Sequence, residues 1–345
     1  MKAAVMTKIR EIITMDYPMP HVGENDVLIK VKHCGVCGSD LHYYEAGHIG
    51  NYVVDRPMIL GHECAGEVVD FGSNVTKLHK GDIVAIEPGY TCGKCDYCKS
   101  GHYNLCEDVH FMATPPHDGA FCEYVSYPQD VVFKLPPEMD TIEGALLEPL
   151  NVGFYAAQQA EASVGKSAAI LGGGCIGLCT LMALNSMGVR QVYVVDMVQK
   201  RLDMANEIGA FRTINAKEES AVDAILADTD GRGVDMVFET AGSVPTGQQT
   251  VRLARRGGTI VMVGMAPNAT YEYDFGTFID HELTMKSVFR YRNLYPVAID
   301  AVTRCHLPLK KIVTNIYDLE HVGEGMDFCI KHKDQTVKAV IEVSN

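Results

Sequence analysis

Apolar and polar positions change their rhythm once along this chain, near residue 150. Before that point, short stretches alternate apolar with polar residues and end in turn formers. "DVLIKVKHC" (26–34) alternates over much of its length, as a half-buried strand does. "ECAGEVVDFG" (63–72) and "GDIVAIEPG" (81–89) are similar runs closed by glycine, separated by turn-rich stretches such as "GSNVTKLHKGD". Neither a helical period nor an internal repeat stands out, so this part predicts a β-rich domain.

The later rhythm is different. "SAAILGGG" (167–174) is a short apolar strand running into glycines, and "CIGLCTLMALNSMG" (175–188) has helical spacing with Gly188 as its stop. "QVYVVD" (191–196) predicts a second strand and "QKRLDMANEIG" (199–209) a second helix. "RTIN" (212–215), "VDMVFETAG" (234–242) and "GTIVMVG" (258–264) add strands separated by helix-compatible segments. Strands alternating with helices at this spacing predict a doubly wound parallel sheet. After about residue 280 the pattern is mixed, with strands at "LTMKSVF" (283–289) and "VKAVIEV" (337–343) and a helix over 319–333.

Composition narrows the functional classes. A chain of 345 residues with 47% hydrophobic content is long enough for two domains. A net charge of −14, with no Lys/Arg run, disfavours nucleic acid and anionic membranes as partners. "MKAAVMTKIREIITMDYP" lacks the apolar core of a signal peptide, and no stretch approaches the ~18 apolar residues that span a bilayer. Twelve cysteines in that context point to a reducing compartment and to metal ligation rather than disulfides. A cytoplasmic enzyme is the expectation.

Gly172, Gly174 and Gly177 form G-x-G-x-x-G, a weak signal alone among 32 glycines. Here it follows a strand, opens a helix and is followed by a second strand ending in Asp196. In that context Gly172 permits the tight turn, Gly174 the approach of a pyrophosphate and Gly177 close packing of helix on strand. The pyrophosphate would sit at the positive end of the helix. Asp196 is placed to accept from the adenosine ribose hydroxyls and would repel a 2′-phosphate, which favours NAD over NADP. Arg201 either helps hold the adenosine half or is solvated.

Two groups of metal donors stand out. Cys92, Cys95, Cys98 and Cys106 form C-x2-C-x2-C-x7-C in a polar loop, the pattern of a closed all-thiolate zinc site with a structural role. Cys37, His62 and Glu63 offer a thiolate, an imidazole and a carboxylate, enough for a catalytic zinc with one open position. Glu87 and Glu148, each followed by proline, are both able to complete that site, and the residues alone do not choose between them. Cys34 and Cys37 read as a redox pair, half a metal site or packed small residues, the redox pair being the weakest of the three.

These motifs resemble the zinc-dependent medium-chain dehydrogenases nearly end to end, and most closely their sorbitol (polyol) dehydrogenase branch. "CGVCGSDLH", "GHECAGEVV", the four-cysteine loop and "GGGCIG" carry the superfamily pattern. "VAIEPG", "GHYNLC", "FMATPPHDG", "LLEPLNVG" and "VFRYRNLYPVAI" carry the branch. The resemblance implies an α/β fold: a β-rich GroES-like catalytic domain over 1–150 and 286–345, and a Rossmann NAD-binding domain over 151–285. It implies Cys37 and His62 as direct zinc ligands. Glu63 and Glu148 bind that zinc directly or through water, Glu148 standing where alcohol dehydrogenases have a cysteine. Glu87 and Cys34 match no ligand, and Gly35 and Gly38 let the loop turn around the metal. Ser39 matches the hydroxyl that starts the proton path, with His42 either its next member or a surface residue. Tyr43, Phe111, Arg290 and Tyr291 match the substrate pocket. Ile176, Val263, Gly264, Met265, Val288, Phe289 and Arg290 join Gly172, Gly174, Gly177, Asp196 and Arg201 around the cofactor. Animal relatives often lack the four-cysteine lobe, so the chain looks microbial in type.

The implied reaction is zinc-dependent oxidation of a polyol hydroxyl, on a sorbitol- or xylitol-like substrate, to a ketose with hydride transfer to NAD+. A carboxylate in place of a thiolate should leave the zinc more electrophilic and more tolerant of changing coordination. L-Threonine, 2,3-butanediol and a sugar or polyol phosphate are alternative substrates, and a non-catalytic zinc- and dinucleotide-binding protein is an alternative of another class. Two zincs per chain and a homo-dimer or homo-tetramer are implied, with the strand "GTIVMVGM" near the sheet edge as a pairing surface.

Overall fold

The computed structural model describes residues 1–265 and 270–344. They form two compact units. The first comprises Met1–Glu148, Tyr295–Ile299 and the tail from Leu309, and the second comprises Pro149–Leu294 and Asp300–Pro308.

The first unit is built on a seven-stranded sheet. Its central strand Asp26–Gly35 pairs antiparallel along one edge with Glu63–Phe71. Its other edge is shared between Tyr124–Pro128 and the C-terminal strand Lys338–Glu342. The tail therefore returns to the β-rich unit, a step that periodicity alone does not reveal. Val27, Ile29 and Val31 alternate into the core with no exposure, as the pattern of that run predicts. Two helices missed by the sequence pattern also matter. Gly38–Ala46 follows Cys37 directly. Thr141–Gln159 carries Glu148 and, unusually, Pro149 in its interior. Asp140 and Glu143 cap the second reciprocally: Glu143 N donates to Asp140 (2.9 Å) and Asp140 N donates to Glu143 (3.2 Å).

The second unit is a six-stranded parallel sheet in the spatial order Arg212–Asn215, Gln191–Asp196, Ser167–Leu171, Val234–Glu239, Ala254–Met262, Thr284–Ser287. The order reverses between Ser167–Leu171 and Val234–Glu239, which opens a crevice at their carboxyl ends. The strand containing "GTIVM" lies second from the edge, with Thr284–Ser287 pairing outside it.

The cysteine loop is bonded to the rest of the first unit at Glu87. Tyr103, which lies between Cys98 and Cys106, donates its hydroxyl to Glu87 Oε1 at 2.8 Å. The Tyr295 hydroxyl donates to the Ile86 carbonyl at 2.6 Å, while its ring stacks on Phe133. Burial pushes the Glu87 carboxyl up to about 7; the Tyr103 hydroxyl opposes this and the charge of Glu148 adds to it. Because the folded value lies above the unfolded one, the stability this group contributes is complete below pH 4.5 and is lost as pH rises through about 7. Glu87→Gln stays neutral and keeps an acceptor for Tyr103. It should match the parent at pH 4 and exceed it at pH 8 by on the order of 3 kcal/mol, measured by denaturant unfolding across that range. Equal pH dependence in the two proteins would contradict the assignment.

Candidate functional site

The four loop cysteines converge as their spacing predicts. Cys95–Cys98, Cys92–Cys106 and Cys92–Cys98 sulfur pairs lie 3.4, 3.6 and 4.0 Å apart, and all four are free thiols. A tetrahedron with metal–sulfur bonds of about 2.3 Å has edges of about 3.8 Å, so the cluster suits a zinc ion. Cys95 N and Cys98 N donate to the sulfurs of Cys92 and Cys95, both at 3.4 Å. Backbone N–H groups of Lys94 and Cys95 pull the Cys92 thiol down to about 7, toward the thiolate that a metal requires.

The second cluster is assembled from distant segments. The donor atoms of Cys37, His62 and Glu63 all lie within 4.8 Å of one another. Cys37 caps the helix Gly38–Ala46, and Glu63 opens the strand Glu63–Phe71. Asp40, fully buried, ties the two segments together. Its carboxylate accepts from Cys37 N and from Gly61 N, both at 2.9 Å, and lies 3.7 Å from His62 Nδ1. Burial pulls the His62 imidazole down, but the Cys37 thiolate and the Asp40 carboxylate outweigh it and carry it well up. A site this negative, with one sulfur, one nitrogen and one oxygen donor, fits a catalytic zinc.

Glu63 is also held from behind. Both its oxygens accept from Lys338 Nζ, at 2.7 and 2.8 Å, and the same ammonium donates to the Val36 carbonyl at 2.9 Å. The pair is almost fully buried. A carboxylate has about four lone-pair sites, so this bond leaves Glu63 capable of facing a metal as well. Gly35 is needed here, because a Cβ would overlap the Glu63 carboxylate. Gly38 is not: a Cβ there meets nothing, and it simply begins the helix. Cys34 is a packed residue between Cys64 and Ile341, and burial holds its thiol well above the ordinary range. Glu148 lies outside the 4.8 Å group, buried on its helix, where its charge is felt by Cys64 and Glu87.

The crevice of the second unit is shaped by glycine. Gly172 has φ 109° and Gly174 caps the helix Cys175–Ser186 with open space around its Cα. At Gly177 a Cβ would overlap the Gly172 carbonyl, so this helix meets the turn as closely as backbone allows. Ile176 lies in the helix's first turn. Asp196 accepts from Gly173 N (2.7 Å), Met197 N (2.7 Å) and Val198 N (2.9 Å), and Arg201 stands 3.4 Å from it.

Comparison with known proteins places the chain in a family. Residues 23–137 match the alcohol dehydrogenase GroES-like domain, and residues 175–304 match the zinc-binding dehydrogenase family. A sorbitol dehydrogenase of Bacillus subtilis is 42% identical, over 99% of this chain and 97% of its own. One from Rattus norvegicus is 39% identical, over 90% of this chain and 88% of its own. An Escherichia coli oxidoreductase of unknown specificity has a TM-score of 0.96 at 42% identity, covering 100% of this chain and 99% of its own. The chain belongs to the zinc-dependent medium-chain dehydrogenases, in the sorbitol dehydrogenase branch.

The remaining residues that this dehydrogenase pattern singles out fall in both units. In the first, Ser39 occupies the first turn of the helix after Cys37 and His42 lies exposed one turn on. Tyr43 is buried, bonded to Thr114, and the Phe111 ring packs 5.6 Å from the His62 ring. In the second, Val263 N and Gly264 N donate to the Glu239 carbonyl (2.8 and 2.9 Å), and Met265 is exposed. Val288 N donates to the Met262 carbonyl, Arg290 lies over the Phe289 ring, and Tyr291 is buried. Asp40 and Lys338 were not singled out by sequence. A lysine inside the apolar run "VKAVIEV" was the available signal.

Two outcomes test the metal centres. Cys95→Ser should lose one zinc per chain by elemental analysis and unfold at lower temperature, while a parent-like melting temperature and zinc content would count against a structural role. Lys338→Met leaves a buried carboxylate without its cation, a loss of about 3–5 kcal/mol. Zinc should restore more stability to this variant than to the parent, seen as a larger rise in melting temperature on adding zinc to chelator-treated protein; equal rises would mean that Glu63 does not face the metal.

Proposed function

We propose that this dehydrogenase oxidises a secondary hydroxyl of a sorbitol- or xylitol-like polyol to a ketose, with hydride transfer to NAD+. The observation that carries the reading is the open Cys37–His62–Glu63 cluster in a chain 42% identical to a sorbitol dehydrogenase. Cys37 and His62 would hold a catalytic zinc, Glu63 and Glu148 would serve it directly or through water, and the four loop cysteines would hold a second zinc. When bound, zinc supplies the Lewis acidity that makes a hydroxyl acidic near neutral pH, and NAD+ accepts the hydride.

The chain's own residues do the rest. Ser39, two positions after Cys37, takes the proton leaving the substrate hydroxyl, and His42, three residues further on the same helix face, passes it to solvent. Tyr43, Phe111, Arg290 and Tyr291 orient the polyol, Arg290 offering a fork of donors to a hydroxyl chain. Gly172, Gly174, Ile176 and Gly177 receive the pyrophosphate at a helix N-terminus. Asp196 and Arg201 take the adenosine ribose, and the Asp196 charge favours NAD over NADP. Val263–Met265 and Val288–Arg290 serve the nicotinamide side.

A homo-dimer or homo-tetramer is supported by the exposed apolar residues Phe275, Ile279 and Met285 on and beside the edge strand of the second unit. Among the described residues no helix is long and apolar enough to cross a membrane. The cysteine-rich, metal-ligand-like composition favours a reducing, cytoplasmic setting.

The reading is tested by following NADH absorbance with sorbitol, xylitol, ribitol, galactitol, a polyol phosphate, L-threonine and 2,3-butanediol, with and without chelator. A free polyol should give the highest kcat/KM and the chelator should abolish it. His62→Ala should remain folded and lose turnover by at least about a thousandfold. Preference for threonine, butanediol or a phosphate would move the substrate class; chelator-resistant turnover in His62→Ala would overturn the metal assignment.

A further inference from the structure

Glu239 lies at the carboxyl end of its strand and is buried, with 1% exposure. Among the described residues no basic side chain pairs with it. Its Oε1 accepts from Ala241 N (3.1 Å), Gly242 N (3.0 Å) and the Thr246 hydroxyl (2.7 Å). Its Oε2 lies 3.2 Å from Gly242 N. Amide donors and the start of the ten-residue helix Val244–Leu253 thus hold the charge. The main-chain carbonyl of the same residue accepts from Val263 N and Gly264 N.

This one residue therefore joins two segments, 240–243 and 263–265, whose backbones nearly touch. Gly242 has φ 63°, and a Cβ there would lie 2.6 Å from the Met265 carbonyl oxygen. At Gly264 a Cβ would overlap Gly242 N and lie 2.8 Å from Glu239 Oε2. On its other side the first segment abuts the glycine turn: the Thr240 hydroxyl donates to the Gly172 carbonyl at 2.8 Å. Two strand ends at the crevice thus meet at Glu239, its carboxylate holding 241–242 and its carbonyl holding 263–264.

The crevice has a direction. Asp196 ends the strand on one side of Ser167–Leu171, and Glu239 ends the strand on the other. A dinucleotide with its pyrophosphate over Gly172–Gly177 and its adenosine at Asp196 extends its other half past the ends of Val234–Glu239 and Ala254–Met262. We propose that Glu239 is a positioning residue for the nicotinamide half of the dinucleotide, fixing the segments 240–243 and 263–265 against each other as one rigid wall. This rests on the dinucleotide reading above.

The test separates the two halves of the ligand. ADP carries the adenosine and pyrophosphate, and NADH adds the nicotinamide riboside. Binding of each is measured by calorimetry to the zinc-loaded parent and to Glu239→Gln, Glu239→Leu and Thr246→Val. Gln keeps one oxygen for three donors but turns an amide toward Gly242 N, Leu removes all acceptors, and Val removes one donor. The NADH dissociation constant should rise about tenfold in Glu239→Gln and further in Glu239→Leu, with ADP affinity within twofold of the parent. The fluorescence enhancement of bound NADH should fall in the same order, and KM for NAD+ should rise more than KM for the polyol. If Glu239→Leu does not fold, Glu239→Gln and Thr246→Val carry the comparison. Equal weakening of ADP and NADH would reduce Glu239 to a general support of the domain and overturn the proposal, as would unchanged NADH binding in folded Glu239→Gln. A parent chain that binds neither ligand would overturn the dinucleotide reading itself, and this proposal with it.

Discussion

The ammonium of Lys338 sits where three segments of the first unit meet, between both oxygens of Glu63 and the carbonyl of Val36. A lone charge at this depth costs several kcal/mol, so neither Lys338 nor Glu63 is tolerable without the other. The consequence reaches the metal donors through the chain itself. Val36 precedes Cys37, and Glu63 follows His62. Fixing the two neighbours against one cation brings the thiol and the imidazole together. It also requires the C-terminal strand Lys338–Glu342 to be seated beside Asp26–Gly35 before the cluster is complete. Cys37, Asp40 and Glu63 bring three acidic side chains close together. Lys338 pairs with one, and a divalent ion would suit the rest.

The second unit solves a related problem without a buried lysine. Asp196 and Glu239 also end strands with buried carboxylates, but their oxygens accept backbone N–H groups of the turns beside them. Amide donors stabilise a carboxylate and fix the loop that supplies them in the same act. That suits a crevice that must present backbone to an anionic ligand, because a buried lysine there would compete for the phosphates.

How much of this was legible follows from how local each feature is. The parallel sheet was readable because its strands and helices each carry their own period, and Gln191–Asp196 and Arg212–Asn215 agree with the apolar runs residue for residue. The four-cysteine cluster was readable because all its donors lie in one loop. The two helices beside the metal donors were not. Gly38–Ala46 has little apolar bias on either face, and its start is set by Asp40 accepting from Cys37 N. Thr141–Gln159 contains Glu148-Pro149, a dipeptide that ordinarily argues against helix on both sides of the bond. Its apolar burial overrides that, and the reciprocal cap of Asp140 and Glu143 was the signal in "MDTIEG" that would have marked its start. Lys338 was illegible for a different reason. The run Lys338–Glu342 is buried on both faces, so alternation cannot tell an inward lysine from an outward one, and its partner lies 275 residues away.

The two metal clusters thus differ in what they depend on. The loop cluster draws all four donors from Cys92–Cys106, and Tyr103 within it bonds to Glu87 outside it. Its geometry is a property of a short segment, as a closed structural site should be. The open cluster gathers donors from two segments, is oriented by Asp40 between them and has its charge balanced from the far end of the chain. Its donors are therefore set by tertiary structure, and its charge balance passes through Glu63, which is paired with the lysine and lies within 4.8 Å of the other two donors. A metal that changes coordination during a reaction needs one ligand with somewhere else to go. Glu63 has that alternative partner at 2.7 Å, already neutralised.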